Sequence, residues 1–324
     1  HVSSLFDDEN DCPSVSRLPP PRRIPAYPKA RNFASQSAFP GTGLGFASGA
    51  RCGIHVRVLR IGAGNGPVND RQPNGAKRTR LHNHLNKGFE TASAEYGMIE
   101  SGDRILVGVS GGTDSMVLLD LLRTPKYVIP GDYTVTAAHI DLGFEGSSED
   151  AAQLESYLRR TGCDCVIDRT DIGPVAHSEV NRKNPCFLCS RLRRRRIFEI
   201  AAERGCNKIA LAHHRDDLIE TLLINMLYGR EISTMMPKQR IFSGTLHIIR
   251  PLAYIREELV KKFARERGFP VIANRCPTSG NSRRRYVKEL LSALEKDNRL
   301  VRDNLFRAMK NVKKDYMPRG RHDG

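Results

Sequence analysis

The sequence predicts an α/β fold with a doubly wound parallel sheet and basic helical additions. Short β-branched apolar runs alternate with helical patterns between residues 81 and 260, which is the order expected of consecutive βαβ units. A glycine-rich turn joins the first such run, residues 105–109, to the helical pattern that follows it. Because ligands of open parallel sheets bind beyond the carboxyl ends of strands, this turn marks the predicted site.

Each predicted element follows from its hydrophobic period. In the first helix, residues 81–99, Leu85, Phe89 and Ala92 recur at three- and four-residue steps, which is typical of an amphipathic helix. Similar patterns predict helices at 116–122, 149–161, 190–204, 213–228, 257–267 and 282–312. Short apolar runs predict strands at 105–109, 134–141, 163–167, 208–212, 247–256 and 269–272.

Three regions are predicted along the chain. Nine of the 18 prolines precede residue 75 and no regular period persists there, so this stretch buries too little apolar surface to offset its ordering entropy. Residues 1–80 are therefore predicted to be a disordered basic leader, in which Cys12 and Cys52 have no function. Residues 81–260 are the predicted α/β domain with an inserted CxxC, and residues 261–324 a C-terminal cysteine-bearing turn followed by basic helices.

The composition narrows the possible functions. The 324 residues carry a formal net charge of +16 and a sequence pI near 9.7, which favours a polyanionic partner, either nucleic acid or an anionic membrane surface. No apolar run approaches the ~20 residues of a membrane span, and no apolar signal core is present, so a cytoplasmic location is predicted. Eight cysteines in such a chain predict reduced thiols, metal ligation or catalysis rather than disulfides.

The glycine-rich turn has the features of an anion-binding loop. It follows a strand and begins a helix, so backbone N–H groups and the positive end of the helix point at one place. Paired glycines let a phosphate approach the backbone closely. The pattern is not Walker A, because no Gly-Lys-Ser/Thr follows; a ligand-free turn is the alternative. The predicted ATP-binding residues of this loop are Ser110, Gly111, Gly112, Thr113, Asp114 and Ser115.

Two cysteines in the middle of the chain have metal-binding spacing. Cys186 and Cys189 are close enough to ligate one metal site, and the chain has no second CxxC to complete a zinc knuckle. Cys276 lies in a turn before a basic helix, whereas Cys206 ends a helix and is predicted to be core. Three cysteines without a fourth suit an iron–sulfur cluster with one open iron. A redox CxxC pair and a zinc site completed by a histidine are the alternatives.

Arginines cluster beside both cysteine sites. The helix after the CxxC begins with Arg191, Arg193 and Arg194 among five arginines, and Arg284 lies in a basic run after Cys276. A charge run is commonly a solvated helix face. Its position beside candidate metal ligands instead favours a bound phosphate backbone, so these four arginines are the predicted nucleic-acid contacts.

Further candidate ligands stand at the ends of predicted strands. His139 and Asp141 end the second strand and His213 follows the fourth. Because parallel strands end at one edge of the sheet, all three are predicted to contact ATP. Asp217, in the first turn of the next helix, is a predicted ligand of Mg²⁺, which commonly takes one or two carboxylates. The alternative is an acidic residue that only stabilises the helix start.

Taken together, these motifs resemble one known family. The glycine loop, PCFLCSRLRR from residue 185, IALAHHRDD from 209, NMLYG from 225 and IRPLAY from 249 occur in that order. The combination is similar to the tRNA 2-thiocytidine synthetase family, TtcA-type, of the PP-loop ATP-pyrophosphatase superfamily. The resemblance covers residues 83–312 and not the leader.

The resemblance implies a tRNA-thiolating enzyme. The family adenylates the C2 oxygen of cytidine 32 with Mg·ATP, releases pyrophosphate, and replaces the activated oxygen with sulfur carried by a 4Fe-4S cluster. It implies that Cys186, Cys189 and Cys276 ligate the cluster, and that Cys186, Cys189 and Asp114 take part in catalysis. The implied partners are tRNA and a cysteine desulfurase or another sulfur donor, and a homodimer is possible in this family.

Two departures and two alternative functions accompany this prediction. Many relatives have lysine where Thr113 stands, and a neighbouring cysteine common in relatives is missing around Cys276. One alternative is another PP-loop tRNA-modifying enzyme, acting on a different base or joining lysine to it. The other is a non-catalytic RNA-binding protein stabilised by zinc. Bound iron would favour the thiolating enzyme, whereas bound zinc would favour the non-catalytic RNA-binding protein.

Overall fold

The computed structural model describes residues 55–56, 79–125, 132–181, 184–278 and 283–317, all of which belong to one compact unit. The predicted leader falls outside the described residues, apart from residues 55–56 and 79–80, and so do Cys12 and Cys52. The predicted boundaries at residues 80 and 260 stay predictions. Within the described residues, no helix is both long and apolar enough to cross a lipid bilayer.

Seven strands form one sheet in the described part of the chain. They are β1 His55–Val56, β2 Arg104–Gly108, β3 Tyr133–Asp141, β4 Asp164–Arg169, β5 Lys208–Ala210, β6 Lys238–Ile241 and β7 Leu246–Ile249. The five central strands run parallel in the order β4-β3-β2-β5-β7. Chain order therefore reverses between β2 and β5, which confirms the predicted doubly wound sheet. β1 and β6 add antiparallel pairs to β3 and β7.

Nine α-helices connect and flank these strands in the described ranges. They are α1 Arg80–Glu95, α2 Thr113–Arg123, α3 Ser147–Arg160, α4 Ile172–Ala176, α5 Pro185–Glu203, α6 Arg215–Ile224, α7 Glu257–Arg267, α8 Arg283–Asp297 and α9 Val301–Ala308. A π-helical turn, Asn225–Gly229, continues α6. The periodic residues Leu85, Phe89 and Ala92 are fully buried on one face of α1, as the sequence predicts.

The core lies on both faces of the sheet. In β2, Ile105 and Val107 pack into one apolar cluster with α1, α2 and α7, while Leu106 packs into a second with Ile200 of α5. A strand covered on both faces reads as a continuous apolar run rather than an alternating one. This explains why β2 was predictable from its sequence, and it places the residues after β2 on a rigid support.

Several elements differ from the sequence prediction: the predicted helix 282–312 divides into α8 and α9, and β6 was not predicted. Residues 269–272 form no strand; Ile272 instead bonds to the glycine loop. β7 ends at Ile249, because Pro251 has no N–H to continue the ladder. α5 begins at Pro185 rather than at residue 190, since proline is well suited to the first helical position. Both cysteines of the CxxC therefore lie in the first two turns of a helix.

Candidate active site

The candidate site lies where the strand order reverses. The glycine loop, residues 110–115, follows β2, and His213 and His214 follow β5, the parallel neighbour of β2. β3, on the other side of β2, ends with His139 and Asp141. Ligands of doubly wound sheets bind at this crevice. The fold thus brings together the three strand ends that the sequence predicted to contact ATP.

Internal hydrogen bonds fix the shape of the glycine loop. The Ser115 hydroxyl donates to the Gly112 carbonyl at 2.8 Å and accepts from the Ser110 N–H at 3.2 Å. The Ser110 hydroxyl accepts from the Gly112 N–H at 3.2 Å. Thr113 donates its hydroxyl to Asp114 at 3.2 Å. The two serines therefore hold the turn in shape, and the buried Ser115 has this structural role in the loop.

Gly111 allows a second segment to lie directly on the loop. Its φ is +82°, a conformation that glycine adopts without steric cost. A Cβ at this position would stand 2.7 Å from the Cβ of Ile272, and the Ile272 N–H donates to the Gly111 carbonyl at 3.0 Å. The segment from Gly268 to Thr278, here called the bridging segment, thus packs against the loop through Ile272.

The N-terminus of α2 faces the same crevice. Gly112 is its N-cap residue and provides no side-chain capping bond, so the first backbone N–H groups of this 11-residue helix are available to an anion. Asp114 stands in the first turn, with its Oδ2 4.0 Å from His214 Nε2. A phosphate at the helix start would therefore meet backbone donors with one carboxylate beside them.

His139 and Asp141 occupy different positions at the end of β3. The His139 Nδ1 lies 2.8 Å from the Val109 carbonyl, next to the loop, and burial lowers the pKa of this imidazole, with the Val109 carbonyl opposing the shift. Asp141 accepts from the Gly143 N–H at 3.0 Å and from the Ser147 hydroxyl at 2.5 Å. Asp141 therefore organises the turn into α3 in this structure, whereas an ATP contact at either residue stays a prediction.

The histidines after β5 have distinct environments. His213 is 1% exposed, and its Nδ1 accepts from the buried Arg250 Nε at 3.1 Å. Burial, with a contribution from Arg250, lowers the pKa of His213 to about 3. His214 caps α6: its backbone N–H donates to the Asp217 carboxylate at 2.9 Å, and its ring Nδ1 accepts from the Asp217 backbone N–H at 3.3 Å. His213 is thus a neutral, positioned imidazole at neutral pH.

Because His213 is buried and neutral, the free energy of unfolding decreases in acid. The unfolded chain protonates this imidazole below its ordinary pKa of 6.5, and the folded chain only near pH 3, so stability falls as the pH drops through this window. Between pH 7 and pH 5 the loss is expected to be about 2 kcal/mol. His213→Gln should remove that component in urea unfolding at the two pH values, whereas exposed His84→Gln should not. Equal pH dependence in both variants would contradict the assignment.

Basic side chains from α8 and α9 surround the acidic start of α6. Arg284 donates to Glu220 at 3.1 Å and lies 3.6 Å from Asp217, while Asp216 accepts from Arg302 at 3.0 Å. Burial opposes ionisation of Asp217, but the neighbouring histidines and Arg284 lower its pKa. A guanidinium therefore already neutralises the carboxylate predicted to hold Mg²⁺. Arg284, predicted to contact RNA from the surface, is instead directed into this buried ion-pair group.

The three predicted cysteine ligands come together at one end of the bridging segment. The Sγ atoms of Cys186 and Cys276 each lie 3.3 Å from the Thr278 hydroxyl. Cys189 is buried in the same helical turns as Cys186. Burial raises the pKa of the Cys189 thiol; the nearby Cys276 and Cys186 act in the same direction, and Arg193 opposes them. Residues far apart in sequence are thus gathered at one thiol site, defined here as Cys186, Cys189 and Cys276.

The thiol site does not hold a preformed single-ion centre. Among the described residues, no three histidine, cysteine, aspartate or glutamate side chains are placed to hold one metal ion together. In a 4Fe-4S cluster, by contrast, each thiolate binds a different iron atom, so the sulfurs stand farther apart than ligands of one ion. Three thiols gathered at one site are the donor chemistry of such a cluster.

The arginines of α5 differ in exposure and in their neighbours. Arg191 is exposed and Arg194 is half-buried, whereas Arg193 lies one helical turn after Cys189. Burial lowers the pKa of Arg193, and Cys189 and Cys276 oppose that shift. Arg196 is held by Asp168 of β4 at 2.7 Å. The predicted RNA contact therefore fits Arg191 best, while Arg193 faces the thiols.

Sequence reasoning missed two residues that the fold brings to the site. His177 Nε2 is 3.2 Å from the Thr278 hydroxyl and 3.8 Å from the Cys276 Sγ. Ile272 was assigned to a strand, yet it fastens the bridging segment to the glycine loop. Neither residue belongs to a motif with a known spacing. A lone histidine in a linker gives no sequence signal, and the apolar run around Ile272 predicted a strand that does not form.

Comparison with known proteins identifies the family. The family model of the PP-loop domain matches residues 79–310. A tRNA-cytidine(32) 2-sulfurtransferase from Geotalea daltonii is 39% identical over 240 residues, which cover 73% of this chain and 94% of that protein. The chain belongs to the tRNA-cytidine(32) 2-sulfurtransferase family of PP-loop proteins. The Haemophilus influenzae protein of the same name is 37% identical over 240 residues, covering 74% of this chain and 76% of that protein.

A solved structure shows the same fold as this 2-sulfurtransferase-family chain. The U34-tRNA thiolase NcsA from Methanococcus maripaludis, solved with its [4Fe-4S] cluster, matches with a TM-score of 0.58 and 20% identity, covering 76% of this chain and 83% of that one. The likeness supports the α/β architecture. It confirms the predicted fold class, while the PP-loop family match and the similar 2-sulfurtransferases confirm the resemblance predicted from the motifs.

Proposed function

We propose that this 2-sulfurtransferase-family chain uses ATP to adenylate the C2 oxygen of cytidine 32 in tRNA and then replaces that oxygen with sulfur. The observation that carries the proposal is the bridging segment. Its Ile272 is bonded to the glycine loop, and its Cys276 stands with Cys186 around Thr278. One stretch of chain thereby connects a phosphate-binding loop with a group of thiols, which are the two parts that a two-stage thiolation requires.

The activation stage follows from the glycine loop. Backbone N–H groups at the start of α2 would bind the phosphates that leave as pyrophosphate, while Ser110 and Ser115 keep the loop in shape. Adenylation converts the C2 oxygen of cytidine, a poor leaving group, into part of AMP. His139 and neutral His213 flank this crevice. We infer that they contact the nucleotide and that Asp114 orients it, with Mg²⁺ accompanying ATP.

The sulfur stage is assigned to the thiol site. We infer that Cys186, Cys189 and Cys276 hold a 4Fe-4S cluster. Three thiols lie at one location, and no fourth thiol lies beside them in the described residues. This number matches a cluster in which three of the four iron atoms have a cysteine ligand. Such a cluster, when bound, would supply the sulfur atom that replaces the activated oxygen. The positive Arg193 beside Cys189 and Cys276 would counter the negative charge of the thiolates.

The substrate would approach from the exposed side of α5. The C2 position of a loop base is reachable once that base is unstacked from its neighbours. We infer that Arg191 and Arg194 contact the tRNA backbone beside the thiol site, in keeping with the net charge of +16. We infer that a cysteine desulfurase or another sulfur carrier donates the sulfur, and that the chain forms a homodimer, which sedimentation tests.

Arg191 provides a test of the RNA-binding surface. Arg191→Gln is expected to weaken tRNA binding and to lower the slope of log K against log salt concentration by about 1, because one phosphate contact is lost. Arg195→Gln is the matched control, since the Arg195 Nε is already bonded to Glu199 at 2.8 Å. Binding isotherms at several salt concentrations measure both slopes. A slope unchanged by Arg191→Gln would exclude this arginine from the RNA interface.

The two-stage reaction is tested with anaerobically purified protein. Iron and acid-labile sulfide should be present at about four atoms each per chain, as a 4Fe-4S cluster requires. With tRNA, radiolabelled ATP and sodium sulfide, AMP and pyrophosphate should form in equal amounts, because sulfur displaces the AMP group from the activated base. Stoichiometric zinc without iron would refute the sulfur stage and favour a zinc-stabilised RNA-binding protein. Formation of ADP and phosphate would refute the adenylation stage.

A further inference from the structure

His177 stands at the thiol site with one ring nitrogen already engaged. Its Nδ1 lies 3.0 Å from the Gly173 carbonyl in α4. A carbonyl oxygen only accepts hydrogen bonds, so this contact requires the proton on Nδ1. In the neutral imidazole, Nε2 then carries a lone pair. Phe144 packs edge-on against the ring, with centroids 5.4 Å apart and planes at 72°, so the imidazole is held in this orientation.

The Nε2 lone pair points toward the thiols. Nε2 is 3.2 Å from the Thr278 hydroxyl, and the Cys186 and Cys276 Sγ atoms are each 3.3 Å from that same hydroxyl. Two sulfurs and one nitrogen therefore lie within about hydrogen-bonding distance of one hydroxyl. Thr278 is exposed and is the last residue of the bridging segment. The imidazole and two of the thiols are thus neighbours at one site.

Histidines that bind metals have a recognisable second contact. They almost always donate their other ring N–H to a carboxylate, a backbone carbonyl or water, which fixes the tautomer and the ring orientation. His177 has this contact through Gly173. Because Cys276 Sγ lies 3.8 Å from His177 Nε2, the nitrogen is next to a proposed cluster ligand.

We propose that His177 Nε2 is an exchangeable fourth ligand, binding the iron atom that Cys186, Cys189 and Cys276 leave without a thiolate. The inference rests on the proposed iron–sulfur site. With a cluster bound, hydrosulfide would replace the imidazole at that iron: His177 would leave with its electron pair as a neutral base, and hydrosulfide would donate another pair. No electron is transferred to or from the metal. The ligand would shield the open iron from solvent until sulfur arrives.

The test uses the full chain with its cluster loaded under anaerobic conditions. Pulsed electron paramagnetic resonance of the dithionite-reduced cluster should detect nitrogen coupling in the wild type. His177→Ala should remove that coupling, and added imidazole should restore it. His84→Ala, which removes an exposed histidine on α1, should leave the coupling unchanged. In titrations with sodium sulfide, His177→Ala should bind sulfide about tenfold more tightly if the imidazole occupies most of the wild-type iron.

The outcomes separate this inference from the proposed function. Iron and labile sulfide content report the cluster itself, so their absence from the wild type would refute the sulfur stage. A wild-type cluster without nitrogen coupling, or coupling that persists in His177→Ala, would overturn the ligand assignment while leaving thiolation intact. If His177→Ala fails to retain iron, His177→Cys supplies a thiolate instead. That variant should keep the iron, lose the nitrogen coupling and no longer bind sulfide.

Discussion

Cys186→Ala is expected to abolish thiolation while leaving the fold intact. Cys186 is exposed in the first turn of α5, so its removal opens no cavity in the core. Loss of one of three thiolates should release the bound iron and reduce 2-thiocytidine formation by at least about 10²-fold, the scale of losing a catalytic group. Iron analysis and nucleoside mass spectrometry of tRNA treated with the variant measure the two losses.

The matched control for that variant is Cys206→Ala. Cys206 is also a free cysteine, but it is partly buried, packs against the apolar cluster beneath α5 and lies outside the thiol site. It should retain iron and activity. Full iron content in Cys186→Ala would contradict the assignment of the three ligands. Pyrophosphate release that survives in Cys186→Ala would show that the activation stage works without the cluster.

Gly111→Ala is expected to impair the activation stage and to loosen the bridging segment. A side chain at φ +82° is strained, and its Cβ would stand 2.7 Å from Ile272. The combined cost to folding stability should be about 2–4 kcal/mol, from the backbone conformation and the overpacked contact. If the loop shifts to relieve the contact, ATP-dependent pyrophosphate release should fall by at least about tenfold. Urea unfolding and a pyrophosphate assay measure the two effects.

Gly102→Ala separates the two causes. Gly102 has a φ of +85°, and apart from its chain neighbours no atom lies within 4 Å of the position that a Cβ would take. It therefore incurs the backbone cost alone, about 1–2 kcal/mol. Its pyrophosphate release should match that of the wild type. Equal activity losses in both variants would mean that general destabilisation, rather than the contact between Gly111 and Ile272, explains the defect.

The parts of the site that are formed by contiguous residues could be predicted from the sequence. The glycine loop follows a strand that is buried on both faces, so an apolar run, a turn and a helix start occur together within residues 105–123. The CxxC and the order of βαβ units are likewise local patterns. Their order along the chain is sufficient to indicate the family without the spatial arrangement.

What the sequence left undetermined depends on tertiary contacts. Arg191 and Arg193 are two residues apart, and only the packing of α5 shows that one is exposed and the other lies near the thiols. Arg284 lies in a basic run that is typical of a protein surface, yet its side chain turns inward to pair with the buried Glu220. His177 reaches Cys276 across 99 positions. Such contacts follow from how the helices pack, which a one-dimensional period cannot specify.

The most direct test of the account is the nucleoside content of tRNA in a strain that lacks its own 2-thiocytidine-forming enzyme. Expression of this chain should restore 2-thiocytidine, and mapping of digested tRNA should place it at position 32 of the anticodon loop. Cys186→Ala and Gly111→Ala should restore little or none at matched protein levels. The absence of 2-thiocytidine with soluble, iron-loaded wild-type protein, or thiolation of a different base, would contradict the proposed function.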